Sequence, residues 1–541
     1  MLDRRATLQQ LARAGAALAL ARLAAPVLAR PEAPRFTDDP FTLGVASGMP
    51  RPDGVVLWTR LAPQPLETGG GMPPVAVKLQ WELADDEHFG QVRQRGEVWT
   101  GPERAHAVHV DVKGLPPGRV YHYRFHCGGA TSPVGRTRTA PPDDAEVGLL
   151  RLALASCQHY EQGHFVAHRE IARQDLDVVL FVGDYLYETS NPDFRLRRHG
   201  PRPTTLAGFR RHHAQYKLDP DLRAAHAAHP WILTWDDHEV ENDYAADRGP
   251  LHRNPQAFLA LRAAAYQAYF EHLPLAPWMA PQGPDMRIHH RYTWGRLAEL
   301  WTLDGRQFRS PHACPSAERP VGGRISGACA ELMDPQRTML GFEQEAWLQR
   351  GLAHSLRHWK LLGQGSQISP WSVATPLGRR LFTDAWDGYP AARERLLAGI
   401  AEARIGNVIA LGGDVHRHVA ADLRVIPNES RSPVVASEFV TTSITTRGLP
   451  GYAQGLVRSS NPDLKHARSD ERGYVLLSLD AQHARAEFRA TRFPVAAEAR
   501  LHTQAVYAVE SGRAGVQAEH PEGPSPAPAI VPRTTPMPPR R

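Results

Sequence analysis

At 541 residues, with 42% hydrophobic and 22% charged side chains, the chain has the make-up of a globular protein large enough for two or more domains, and nothing in it suggests a fibre or a membrane protein. Its formal charge of +6 comes from arginine rather than lysine, of which only Lys78, Lys113, Lys217, Lys360 and Lys465 occur. The arginines are spread along the chain with no basic run interleaved with aromatics, which argues against a nucleic-acid-binding patch.

Residues 1–29 read as an address label. Arg4-Arg5 precede an alanine- and leucine-rich segment, and Val27-Leu28-Ala29 fits the small-residue pattern of a signal peptidase site, so export by the twin-arginine machinery to the periplasm or beyond is expected. The competing reading is an amphipathic helix, because Arg13 and Arg22 interrupt the apolar segment. No later segment approaches the roughly 18 apolar residues of a membrane span.

Residues 36–142 read as an all-β domain. Short strands at Val55-Val56-Leu57-Trp58, Val75 to Trp81, His106 to Val112 and Val120 to His126 are separated by Pro, Gly and Asp turns, and Tyr121, Tyr123 and Phe125 alternate onto one face. The spacing predicts a sandwich of immunoglobulin or fibronectin type III character, and Gly114-Leu115-Pro116-Pro117-Gly118 followed by Tyr121 and Tyr123 resembles a loop and strand of the latter. Cys127 reads as a small buried side chain. A Pro-Pro-Asp-Asp linker at 141–144 leads to an α/β domain expected over 148–505.

In that second domain apolar strands end in groups with metal-ligand chemistry. Leu152 onward ends in Ser156-Cys157, Val178 to Val182 in Gly183-Asp184-Tyr185-Leu186-Tyr187, Trp231 to Trp235 in Asp236-Asp237-His238-Glu239, and Val408 to Leu411 in Gly412-Gly413-Asp414-Val415-His416. Ligands bind at the carboxyl ends of strands in open α/β sheets, so Cys157, Asp184 and Tyr187 are expected in one cleft. A thiolate, a carboxylate and a phenolate together suit ferric iron. Singly, each has a plainer reading: Asp237 as a helix cap, His238 or His416 as a core histidine, Cys157 as core filler. A helix over Glu343 to Leu356 is predicted to present Leu348, Leu352 and Leu356 as one apolar stripe.

The order of these blocks resembles the metallophosphoesterase series GDxxY, GNH[DE] and GHxH. The closer resemblance is to the PhoD-type alkaline phosphatase family, carried by Ala155-Ser156-Cys157, Gly183 to Glu188, Trp235 to Asn242, Gly412 to His416 and Glu438 to Ile444. It covers residues 36 to about 490 and implies an αββα sandwich of two sheets, preceded by the β domain, that holds one ferric iron and two calcium ions. By motif position, Cys157, Asp184, Tyr187 and His416 would hold the iron, with Asp184 bridging to a calcium site completed by Asp237 and Asp414. Asn242 would offer an oxygen to the other calcium. His238 would hydrogen-bond the developing charge or the leaving oxygen, and Arg262 would face phosphate, against the alternative of an exposed helical arginine. Asn242-Asp243 stands where the family more often has two asparagines.

The chemistry this implies is hydrolysis of a phosphate monoester or diester by water activated at a metal cluster. Neither Ser443 nor Ser156 lies in a nucleophile elbow or a Ser/His/Asp arrangement. A diesterase or phospholipase D-type activity on phospholipids or wall polymers is the alternative; a non-catalytic surface-binding protein would require missing ligands, and none of the six is missing. Cys314 and Cys329 are expected to pair in an exported protein, worth about 3 kcal/mol in the chain-entropy model. Residues 510–541, rich in Pro, Ala and Arg, are expected to be disordered.

Overall fold

Leu150–Ala155, Val178–Val182 and Pro230–Thr234 are apolar runs buried along almost their whole length. They pair in parallel, Leu154 beside Leu180 and Leu180 beside Ile232. Strands buried on both faces need a cover on each, and this forces a layered architecture. The computed structural model describes residues 36–317, 319–327 and 329–520; the predicted signal peptide lies outside them.

The three strands form the centre of a ten-stranded sheet. A seven-stranded sheet faces it, with Ala298–Thr302, Trp359–Gly363, Val408–Gly412 and Val434–Val440 in parallel. One apolar cluster joins the inner faces, with Leu154, Leu180 and Phe488 from the first sheet and Leu300, Leu361, Ile409 and Phe439 from the second. The helices Val166–Ile171, Leu206–Lys217, Pro220–Ala228 and Pro255–His272 supply further residues to this cluster. Phe342–His354 and Pro390–Glu402 pack on the second sheet through a separate core containing Trp301, Leu348, Leu352, Leu396 and Ile400. The αββα sandwich expected of the chain is therefore present.

The N-terminal region is a sandwich, but it is not set apart by its linker. Val77–Ala84, Val92–Thr100 and Val120–Cys127 belong to a sheet of their own, whereas Val45–Arg51, Gly54–Arg60 and Ala107–Lys113 continue the ten-stranded sheet. Ser47 and Gly48 pair in parallel with Pro230 and Trp231. The two layers enclose Val55, Leu57, Leu79, Tyr121, Tyr123 and Phe125, and the Tyr121 hydroxyl donates to the Pro116 carbonyl at 3.1 Å. That bond back to the preceding loop is the tyrosine corner of such sandwiches. Cys127 is buried with a free thiol, as its isolation in the sequence suggests.

Two expectations are corrected. The chain does not lose its order at 510: His502–Glu510 is a strand of the main sheet, and Gln517–His520 pairs with it. Exposed polar residues can extend a sheet edge because main-chain hydrogen bonds, not apolar burial, hold them there; residues 521–541 lie outside the described residues. Leu356 is 92% exposed and does not continue the Leu348 and Leu352 stripe, because the helix ends at His354 and the Ser355 amide closes its last turn on the Leu352 carbonyl. Cys314 and Cys329 are bonded as expected.

Candidate metal centre

The loops that leave the parallel strands turn sharply, and side chains with metal-ligand chemistry sit on the turns. Cys157, Asp184, Asp243, Asp414 and His416 all have positive φ, between 52° and 63°, a region that non-glycine residues rarely adopt unless the surroundings impose it. Gly183, at φ 100°, passes so close to the Asp236 amide that no side chain fits there. The turns are laced together: the Cys157 amide donates to Gly183 O at 3.2 Å, Gln158 N to Asp184 O at 3.1 Å, and Ile444 N to Ser156 O at 3.0 Å. The Thr446 hydroxyl closes on Cys157 O at 2.8 Å.

Three adjoining groups of donors result. Cys157, Asp184 and His416 offer ligand atoms within 4.8 Å of one another, as do Asp184, Asp237 and His238, and again Asp237, Asp243 and Asp384. Asp184 belongs to the first two groups and Asp237 to the last two. The Tyr187 hydroxyl completes the first, 2.7 Å from Asp184 Oδ2 and 3.1 Å from His416 Nε2. His416 Nδ1 donates to the Arg447 carbonyl at 2.8 Å, which leaves Nε2 with its lone pair toward Tyr187. One phenolic proton thus faces two acceptor atoms, and Asp184 Oδ1 is buried with no hydrogen-bond partner. Unpaired buried acceptors are costly, and a cation is the group that fits them.

The electrostatics agree. Burial above all pushes the Asp184 and Asp414 carboxyls well above the usual carboxylate range, and lifts the Cys157 thiol and the Tyr187 phenol. Burial likewise raises Asp243 to about 7. Burial would lower His238, but Glu188, Asp184 and Asp237 outweigh it and hold the imidazole well above its ordinary value; its Nδ1 donates to Glu188 Oε2 at 2.7 Å. At Asp384 the order is reversed. Burial is overcome by Arg306, Arg309 and His312, so this carboxyl is held well below the usual range.

Six of the eight residues singled out in the sequence meet in these groups: Cys157, Asp184, Tyr187, Asp237, His238 and His416. Asp414 is half-buried beside them, where Asp236, Asp384 and Asp237 act on its carboxyl, and one of its oxygens accepts from the Ser366 hydroxyl at 3.1 Å. Arg262 departs from the expectation that it faces phosphate. Its guanidinium bonds to Ala246 O at 2.6 Å, Pro284 O at 2.9 Å and Asp285 Oδ1 at 3.1 Å, all three nitrogens being committed to loops beside its helix. The Asn242 main-chain amide donates to Glu188 Oε1 at 3.0 Å. Ser443 is tied to Thr446 O and Arg472, consistent with a structural role.

Asp243, Asp384 and Arg306 were not singled out. Arg306 is wholly buried, with Nε 2.5 Å from Asp236 Oδ1, both terminal nitrogens 2.8 Å from Asp384, and Nη2 3.7 Å from Asp237. Arg306 follows a strand directly, as the other site residues do, so the strand-end pattern covers it. Asp384 lies between a short hairpin and a turn, where no pattern marks it.

A family model described as PhoD-like phosphatase matches residues 152–488, and another described as PhoD-like phosphatase, N-terminal domain, matches residues 27–141. The chain is 41% identical over 494 residues to alkaline phosphatase D of Bacillus subtilis, covering 90% of this chain and 83% of that protein. It also superposes on a solved structure of PhoD with a TM-score of 0.86 at 40% identity, covering 91% of this chain and 94% of the other. These matches span both the sandwich and the strand-end cluster, and the chain accordingly belongs to the PhoD-like phosphatase family.

Proposed function

We propose that this phosphoric ester hydrolase works with ferric iron held by Cys157, Asp184, Tyr187 and His416 and with calcium held by the carboxylates beyond, Asp237, Asp243 and Asp384. The observation that carries the reading is the unpaired Asp184 Oδ1 at the junction of two donor groups. The donor types divide along the cleft. Thiolate, phenolate and imidazole lie at one end, suited to iron, and an all-carboxylate group lies at the other, suited to a hard ion such as calcium. Phosphate esters resist attack because their oxygens are negative; when bound, the cations offset that charge and acidify water. His238 holds a proton beside Asp184 and Asp237, with Glu188 fixing its Nδ1, and its Nε2 is left to donate to the leaving oxygen. Arg306 keeps Asp236 and Asp384 ionised and aimed, so that the carboxylate end is set before a cation arrives.

Metal analysis joined to chelation tests this. Calcium chelation is expected to abolish ester hydrolysis rapidly and reversibly while a visible charge-transfer absorption from the phenolate and thiolate persists. An iron-free, colourless and fully active preparation would refute the assignment. Monoester and diester chromogenic substrates assayed side by side rank the two activities. Export by the twin-arginine route rests on Arg4-Arg5 and Val27-Leu28-Ala29; precursor of an Arg4→Lys, Arg5→Lys variant should stay in the cytoplasm, and normal export of it would count against that route.

A further inference from the structure

A phosphatase needs a cation that reaches its substrate's phosphate, and the arginine read from sequence for that task, Arg262, is committed to loop carbonyls and Asp285. Two other arginines make ion pairs with carboxylates of the Asp237, Asp243 and Asp384 group from opposite directions. Arg306 does so from beneath, with none of its side chain exposed and its nitrogens bonded to Asp236 and Asp384. Arg319 does so from the solvent side: its Nη2 is 3.6 Å from Asp243 Oδ2 while 52% of the side chain is exposed. At that separation the guanidinium is attracted to the carboxylate without being locked by a hydrogen bond.

Arg319 is presented on a tethered loop. The disulfide between Cys314 and Cys329 closes the segment, and bonds within it fix the path: Arg324 Nη1 donates to Cys314 O at 2.9 Å. Two sides of the acidic group anchor it. Gly323 N donates to Asp243 Oδ2 at 3.1 Å, while Arg324 N donates to Thr383 Oγ1 at 3.1 Å and Arg324 O accepts from Thr383 N at 2.9 Å, one residue before Asp384. Ile325 and Ser326 then pair with Phe382 and Leu381. The loop is therefore stapled to the segments that carry Asp243 and Asp384, and its half-exposed Arg319 stands beside Asp243.

We propose that Arg319 is a substrate-binding residue that takes a phosphate oxygen of the ester, and that the disulfide-closed loop is the element that positions it. When a cation occupies the carboxylates, Asp243 no longer needs the guanidinium, which becomes available to a dianionic phosphate; arginine suits that partner because its planar fork binds two oxygens at once. The inference rests on the phosphatase reading and not on which cations are held. No covalent step is involved.

The test uses the full-chain enzyme, with inorganic phosphate as the probe in calorimetry and a chromogenic phosphate ester in kinetics. Arg319→Ala is expected to weaken phosphate binding by about tenfold to a hundredfold, the range of a charge-assisted hydrogen bond, and to raise KM by a similar factor with a smaller effect on kcat. Arg319→Lys should recover part of the loss. The paired Cys314→Ser, Cys329→Ser variant should weaken phosphate binding by a comparable factor, with little added by Arg319→Ala on top, as expected of residues acting through one element. Unchanged phosphate affinity in Arg319→Ala overturns the proposal. So does loss of bound metal in that variant, which would make Arg319 a part of the cation site. A parent enzyme that binds phosphate through Arg319 yet hydrolyses no ester would refute the catalytic reading while leaving this one intact.

Discussion

At one end of the cleft Asp384 is bonded to Arg306, Arg309 and His312, and at the other Cys157, Asp184 and Tyr187 accept no hydrogen bond from an arginine among the described residues. Both ends bury groups that are anionic when they ligate metal, and burial of unpaired charge is expensive. The carboxylate end meets that cost with the protein's own cations and stands ready with Asp384 ionised. The thiolate end meets it by protonation, since burial lifts Cys157, Asp184 and Tyr187; on the proposed reading a bound cation would replace the protons. One end is preorganised by arginine; if the other takes the proposed metal, loading it should release protons, and loading the carboxylate end should release fewer.

The sharpest way to break this contrast is to remove the built-in cation. Arg306→Met leaves Asp236, Asp237 and Asp384 buried beside one another, and we expect a stability loss of about 3–5 kcal/mol in chemical denaturation of the chelated protein. Excess calcium should recover part of it, because an added cation then does the work of the guanidinium. A variant as stable as the parent under chelation would show that the clamp is not what holds the carboxylate end together.

Asp184 is where the two ends meet, and its amide tests whether they act as one. Asp184→Asn keeps the shape and removes the shared anion; kcat/KM should fall by more than about 100-fold, beyond the usual loss for a residue that merely supports a metal ligand. Metal analysis should show lowered occupancy at both ends. Loss of iron alone, with calcium undisturbed, would separate them.

A smaller effect is expected from Glu188→Gln. Glu188 is the largest of the influences that raise His238, opposing burial, and it holds Nδ1 at 2.7 Å. Without its charge, burial prevails and His238 loses its proton at lower pH, so the alkaline limb of the kcat profile should move to lower pH and kcat at neutral pH should fall by about tenfold. A profile that keeps its alkaline limb in place would remove His238 from proton transfer.

Strand and ligand were legible together because they are local. A run such as Val178 to Val182 must be buried on both faces, and the first polar residues after it must lie at the strand's end, so Asp184 and Tyr187 could be placed without knowing what they face. The same reasoning found Cys157, Asp237, His238 and His416. Tertiary structure decided what converges from elsewhere. Asp384 joins the cluster because Arg306, 78 residues away in sequence, binds it in a fork, and no periodicity encodes a contact of that separation. Asp414 has the right position in its motif, and only the packed chain brings the Ser366 hydroxyl to one of its oxygens. Arg262 lies on a predicted helix, yet which loop carbonyls that helix meets depends on how Ala246 and Pro284 fold back. The N-terminal strands likewise alternate as a sandwich should, but only the pairing of Ser47 with Pro230 makes them part of the central sheet. Burial and turning are short-range consequences of side-chain chemistry, whereas convergence on a shared charge is fixed only when the whole chain has packed.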